Sequence, residues 1–336
     1  MLFLSITLFL IRCILVSVSG DLDSDGRLPI SPPEQKRFVY LCEDLSLTKY
    51  QDIAQGILER CAELNVVCNI VDGKGRSEML MSYIEELGRT SVDALLVSAL
   101  TEPLGPLILS KCHALDIPIF TVSSRLKDGE GQEIPGIEIQ GNQSGRNLAA
   151  AIAEAIFEEA ALDLEKPVSV IMCKMSNLTD ATEIVSGFLD EFSSQFPSLG
   201  SDSYVQLEVI SASAEGQYFS INNYFSRTGA ETQYVILSFN DDGCKAVTDY
   251  IREAHLDPNR LLFCAVGAQK NSRRVFEEEP LLAGRYYSVS TDYPDMGRQA
   301  VDYMYAYMEK AEPLPYVFMP PGKLISAENY RELLYP

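Results

Sequence analysis

Apolar and polar positions along this chain fall into blocks of two lengths. Residues 38–42 are a short apolar run rich in strand formers, and across 48–64 the apolar positions Ile53, Ile57, Leu58, Cys61 and Leu64 recur at helical spacing. Strand-like runs follow at 66–71, 94–98, 119–122 and 137–139, separated by helix-like stretches at 77–88, 103–114 and 144–159. The rhythm then restarts. Five more buried-type strands are predicted at 168–173, 205–211, 234–238, 261–266 and 286–289, with helices at 180–192, 217–227, 241–254 and 272–278. A further helix is expected at 295–310, followed by a Pro/Gly-rich tail at 313–322, the pair Leu324-Ile325 and a closing helix at 327–334.

Strand, helix, strand at this spacing means parallel pairing with right-handed crossovers. The pattern therefore predicts an α/β fold of two similar doubly wound parallel-sheet lobes, each built on five strands. In such sheets ligands sit outside the carboxyl ends of the strands. Those ends are polar here: Glu43-Asp44, Asp72, Ser123-Ser124-Arg125, Asn240-Asp241-Asp242, Gln269 and Asp292. Polar residues after strands also cap helices, and Asp241 could serve as the N-cap of its own helix.

Composition narrows the function. The 336 residues are 46% apolar and 22% charged, enough for a core, and the net charge of −21 would repel a phosphate backbone or an anionic membrane. Nucleic acid is not an expected partner. Residues 2–18 are almost wholly apolar and end in Ser17-Val18-Ser19-Gly20, so 1–20 is expected to be a signal peptide, cleaved before Asp21, or else an uncleaved anchor. Residues 21–36 form a Pro/Ser/Asp-rich spacer. The protein is expected to be exported to the periplasm or cell envelope, or secreted in a eukaryote. Beyond Cys13, the seven cysteines Cys42, Cys61, Cys68, Cys112, Cys173, Cys244 and Cys264 lie mostly in apolar segments and read as small hydrophobes. No Cys/His spacing marks a metal site. No nucleophile-elbow, dinucleotide or P-loop pattern marks an enzyme, so neither catalytic residues nor a cofactor are expected.

From 37 to 334 the chain resembles the type I periplasmic binding proteins, in particular the ribose- and galactose-binding branch. The resemblance rests on ordered pieces. In the first half these are Gln55-Gly56, the run 61–65, the run 92–97, Ile117-Pro118-Ile119 and the run 142–146. The second half adds Ser186-Gly187-Phe188, the run 239–246, Ala265-Val266-Gly267 and Gly297. It implies two lobes, 37–140 plus 292–318 and 141–291 plus 319–336, joined by a three-segment hinge near Gln140, Ser290 and 320–322.

The resemblance also implies an interlobe ligand site. Asn240 stands at a position that commonly hydrogen-bonds a sugar, Asp292 at the polar hinge position and Tyr50 at a ring-stacking position. Gln269 stands where sugar binders usually carry Asp, and Ser123-Ser124 replace an Asp-Arg pair, with Arg125 one residue on. Ile184 replaces a frequent Arg, and Lys49 replaces a second aromatic. Asn240, Asp292, Tyr50, Gln269, Ser123, Ser124 and Arg125, with Glu43, form the expected ligand-binding set. The implied function is solute binding, the ligand being small and polar, most simply a monosaccharide, with a membrane transporter as partner. Three alternatives stay open: a sensor or chemoreceptor subunit of the same fold, a degenerate member serving as a protein-interaction module, and a hydrolase with an unrecognised site. The repressor branch of the fold would need a basic helix-turn-helix where the signal-like segment stands.

Overall fold

The computed structural model describes residues 35–98, 104–225 and 231–335. The expected signal peptide and nearly all of the spacer lie outside the described residues, as do Pro103 and the predicted helix end at Ser226-Arg227. In chain order the elements of the first half are β1 (Arg37–Cys42), α1 (Thr48–Glu63), β2 (Val67–Asp72), α2 (Ser77–Glu86), β3 (Ala94–Ser98), α3 (Gly105–Ala114), β4 (Ile119–Val122), β5 (Gly136–Glu138) and α4 (Gly141–Glu158). The second half continues with β6 (Val168–Lys174), α5 (Thr179–Gln195), β7 (Tyr204–Glu208), α6 (Ala214–Phe225), β8 (Gln233–Ser238), α7 (Asp241–Ala254), β9 (Leu261–Gly267), α8 (Lys270–Glu278), α9 (Pro280–Ala283) and β10 (Tyr286–Ser290). The chain closes with α10 (Tyr293–Lys310), β11 (Tyr316–Phe318), β12 (Leu324–Ile325) and α11 (Tyr330–Leu334).

Two six-stranded sheets result, ordered β11-β5-β4-β3-β1-β2 and β12-β10-β9-β8-β6-β7. The sixth strand of each comes from the C-terminal tail, β11 from within the Pro/Gly-rich run and β12 from the pair Leu324-Ile325. β11 pairs parallel to β5, whereas β12 pairs antiparallel to β10. Three residues of edge pairing are too few to show a period, which is why the pattern missed β11.

Central strands are buried on both faces, as a doubly wound sheet requires. β1 shows it residue by residue. Phe38, Tyr40 and Cys42 face one apolar cluster together with Tyr50, Ile53 and Ile57 of α1; Val39 and Leu41 face another with Leu80 and Ile84 of α2 and Ile108 of α3. The period of two places alternate side chains under helices on opposite sides.

The chain passes between the sheets three times: between β5 and α4, between β10 and α10, and between β11 and β12. These strands are bonded to one another. Met319 N donates to the Glu138 carbonyl at 2.6 Å, Gln140 Nε2 to the Met319 carbonyl at 3.0 Å, and Ser290 N to the Lys323 carbonyl at 2.9 Å. Gly322 passes so close that a Cβ there would lie 1.8 Å from the Ser290 carbonyl oxygen.

Candidate functional site

The carboxyl ends of both sheets face each other, and side chains from the two lobes meet there. The N-terminus of α1 lacks a side-chain cap of its own: Leu47, at the N-cap position, has no side-chain oxygen to offer. Free N–H groups at a helix start demand an acceptor and favour an anion. The acceptor comes from the other lobe. Asp242, in the first turn of α7, takes the Thr48 backbone N–H at 3.3 Å and the Thr48 hydroxyl at 3.1 Å.

Beside it, Gln269 donates from Nε2 to Asp52 at 2.5 Å and accepts from the Thr48 hydroxyl at 3.4 Å. Asp241 is also committed. Its carboxylate accepts from the backbone N–H groups of Gln269 (3.1 Å), Asn271 (2.8 Å) and Ser272 (2.9 Å), so it caps α8 and not its own helix. Burial pushes Asp241 and Asp52 above the usual carboxylate range, and burial with the neighbouring Asp241 pushes Asp242 up to about 6. For Asp242 the loss of water outweighs the donors of Thr48.

At the centre of the interface Lys49 of α1 reaches Asp180, at the N-terminus of α5. Nζ lies 3.6 Å from Oδ2, with the two side chains 10% and 8% exposed. The ammonium also lies 3.4 Å from the Ser123 hydroxyl and 4.9 Å from the centroid of the Tyr50 ring. Asp180 Oδ2 accepts no hydrogen bond, and the Tyr50 hydroxyl, on a fully buried side chain, has no partner among the described residues. Burial first, then the fields of Cys42, Tyr40, Glu43 and Asp180, raise the Tyr50 phenol well above its ordinary value, so it stays a neutral O–H. A cavity of about 10 Å³ remains here, lined among others by Lys49, Asp180, Phe239, Asn240 and Tyr293. That is room for roughly one water.

Tyr50 is fully buried beside Lys49 with an unpartnered hydroxyl, and Ser123 touches Lys49. Ser124 is buried next to Ser123, and Glu43 is buried at the end of β1, in the field of Tyr50. Gln269 is present but bonded across the lobes to Asp52 and Thr48.

Asn240 borders the cavity, yet its side chain serves its own lobe. Oδ1 accepts from Gln217 Nε2 at 2.7 Å and from Gly243 N at 3.0 Å, capping α7, and Nδ2 donates to the Ala212 carbonyl at 2.9 Å. Arg125 is a tie between lobes: it pairs with Glu138 at 2.8 Å in its own lobe, donates to the Tyr316 hydroxyl at 3.0 Å and reaches Glu183 of α5 at 2.8 Å. Asp292 is exposed and caps α10 by accepting from Asp295 N at 3.0 Å. It borders an open groove of about 970 Å³ along the hinge, shared with Asp52, Gln140, Gln269 and Arg273, and does not line the enclosed cavity.

Sequence reasoning missed Thr48, Asp52 and Asp180 altogether and treated Lys49 only as a missing aromatic. The available signal was positional: each stands in the first turns of a helix that follows a strand, on the same edge as the residues chosen. Among the described residues no group of three or more His, Cys, Asp and Glu side chains could hold a metal ion.

The comparisons with known proteins agree with the two-lobed fold. The model of the periplasmic binding protein domain family matches residues 38–312. A Caulobacter myo-inositol binding protein bound to myo-inositol is similar at 18% identity and a TM-score of 0.74, over 90% of this chain and 97% of that one. A solute binding protein of an Actinobacillus succinogenes ABC transporter, with bound D-allose, is similar at 15% identity and a TM-score of 0.73, over 89% and 100%. The transcription regulator CcpA of Lactococcus lactis is similar at 13% identity and a TM-score of 0.66, over 87% and 98%. Identities this low speak for the fold, and one fold hosts unrelated jobs. No curated protein sequence matches the chain.

Proposed function

Because the chain belongs to the periplasmic binding protein domain family, we propose that it is an extracytoplasmic solute-binding protein. It closes its lobes around a small polar solute, a sugar or related polyol, and presents that solute to a membrane transporter. It performs no chemistry on the solute. Residues 1–20 direct its export to the periplasm or cell envelope.

One observation carries the reading. Two buried polar atoms, on side chains that both touch Lys49, lack hydrogen-bond partners: the Tyr50 hydroxyl and Asp180 Oδ2. A buried polar group left unpaired costs about 1–3 kcal/mol, so such atoms mark where a ligand's own donors and acceptors belong. A phenol O–H and a carboxylate oxygen suit neighbouring hydroxyls of a polyol, which donate and accept at once. Asn240 lines the small cavity beside Asp180, and the Ser123 hydroxyl touches Lys49.

The test is thermal unfolding of the protein against monosaccharides, polyols, nucleosides and amino acids. A solute at about 100 times its dissociation constant should add about 2.7 kcal/mol to the native state. A hit among sugars supports the reading. A receptor or chemoreceptor subunit would give the same hit, and the two are separated by whether the loaded protein stimulates uptake by a transporter.

A second reading is favoured by the cavity itself. At about 10 Å³ it holds no sugar while Lys49 pairs with Asp180. A panel without a single hit would point to a family member that has lost its solute and uses the closed lobes as a protein-interaction surface.

A further inference from the structure

The Lys49–Asp180 pair occupies the centre of the interface, and its geometry is that of a substitute and not of a finished salt bridge. The nitrogen–oxygen separation of 3.6 Å is longer than a charge-assisted hydrogen bond, which runs at about 2.7–2.9 Å. The remaining contacts of the ammonium are one hydroxyl at 3.4 Å and the face of an aromatic ring at 4.9 Å. Asp180 Oδ2 has no hydrogen bond. A buried pair without complementary hydrogen bonds repays little of its desolvation, yet removing one partner strands the other charge. The pair therefore resists leaving this place without being strongly held in it.

Its position decides what this means. Lys49 stands in the first turn of α1 in one lobe and Asp180 in the first turn of α5 in the other. A contact between them exists only while the lobes are closed, and the cavity left beside it has no space for a solute.

We propose that Lys49 is a tethered competitor: in the solute-free protein its ammonium takes the place of a ligand at Asp180 and holds the lobes closed. A solute enters by displacing it and giving Asp180 and Tyr50 its own hydroxyl or ammonium groups. The latch stands on the geometry alone; the competition rests on the solute-binding reading above.

Small-angle scattering of the solute-free protein tests the latch directly. The wild type should be compact, and Lys49→Ala should shift to a larger radius of gyration. Adding n-butylammonium to Lys49→Ala should restore compactness, because it returns the missing cation, whereas n-butanol should not. Lys49→Met keeps the aliphatic stem and its packing but lacks the charge, so it should also expand, and it guards against a folding failure in the alanine variant. Asp180→Asn should expand and ignore n-butylammonium. An expanded wild type, or variants as compact as the wild type, overturns the latch.

The competition is read separately, on the solute panel. If the latched form holds about 90–99% of the molecules, its removal should tighten solute binding by about 10- to 100-fold. Equal affinity in wild type and Lys49→Ala overturns the competition. A panel flat for both proteins sinks solute binding, and the competition with it, while the scattering result still decides the latch.

Discussion

The Asn240 side chain meets three needs within a few ångströms. It caps α7 through Gly243 N, accepts from Gln217 Nε2, donates to the Ala212 carbonyl, and its neighbour Ser238 shares Gln217 with it. Truncating it removes a cap worth about 1 kcal/mol and leaves buried groups unpaired at about 1–3 kcal/mol. Asn240→Ala should therefore lower the denaturant midpoint measurably, before any effect on ligand is considered. Asp292→Ala removes a cap that faces water and should stay near the 1 kcal/mol of the cap alone. Equal midpoint shifts in the two variants would contradict this account.

Among the cysteines, environment separates one from the rest. Cys68 is partly exposed on β2, and the Cys61 thiol hydrogen-bonded to it lowers its pKa, while that same bond and then burial raise Cys61. Burial likewise raises Cys112, Cys173 and Cys264. The thiolate is the nucleophile. Iodoacetamide under native conditions should label Cys68 first, as peptide mapping by mass spectrometry would show. Earlier labelling of any other described cysteine would refute the assignment.

At the scale of elements, both lobes use one packing device. In the first, α1 and α10 approach so closely that a Cβ on Gly56 would lie 1.9 Å from the Pro294 carbonyl oxygen, and one on Gly297 would lie 2.3 Å from that of Ile53. In the second, α4 and α5 do the same: a Cβ on Gly145 would lie 2.0 Å from the Ile184 oxygen, and one on Gly187 would lie 2.0 Å from that of Asn142. These glycines are among the residues on which the family resemblance rests, and the close approach is the physical reason for them. Alanine gains about 1 kcal/mol of helix propensity over glycine, but overpacking against backbone typically costs about 1–3 kcal/mol and cannot be relieved by a rotamer change. Gly145→Ala should therefore destabilise. Gly284→Ala, where nothing lies within 4 Å, should leave the melting temperature unchanged. A neutral Gly145→Ala would mean that the helices can separate cheaply.

For the whole molecule, closure gathers acidic groups. Asp242 faces Asp241 on its own helix, the start of α1 at Thr48, and Asn271 of α8, and Gln269 brings Asp52 close by. Its carboxyl, near 3.9 when unfolded, is pushed up to about 6 in the fold by burial and then by Asp241. A raised folded value means that the native state binds this proton more tightly. The resulting stabilisation is complete below about pH 4 and is lost as pH rises through about 6. Between pH 5 and 7.5 the wild type should lose more stability than Asp242→Asn in matched thermal scans. Parallel profiles would show that Asp242 titrates as an ordinary exposed carboxylate.

The alternation of short apolar runs and amphipathic stretches was enough to determine the class of fold, the two similar halves and most strands to within a residue or two. That information is local: a period of two or of 3.6 is written in neighbouring residues, and a strand buried on both faces is apolar throughout. The same pattern marked the polar strand ends, and hence the edge where the lobes meet. Tertiary structure alone decided the partners. Asp241 caps a helix thirty residues on, Asp242 caps α1 of the opposite lobe, Asn240 turns inward, and Lys49 finds Asp180. A side chain's donors and acceptors fit many partners equally well. Which one it meets depends on packing that brings distant segments within 3–4 Å, and no local period records that distance.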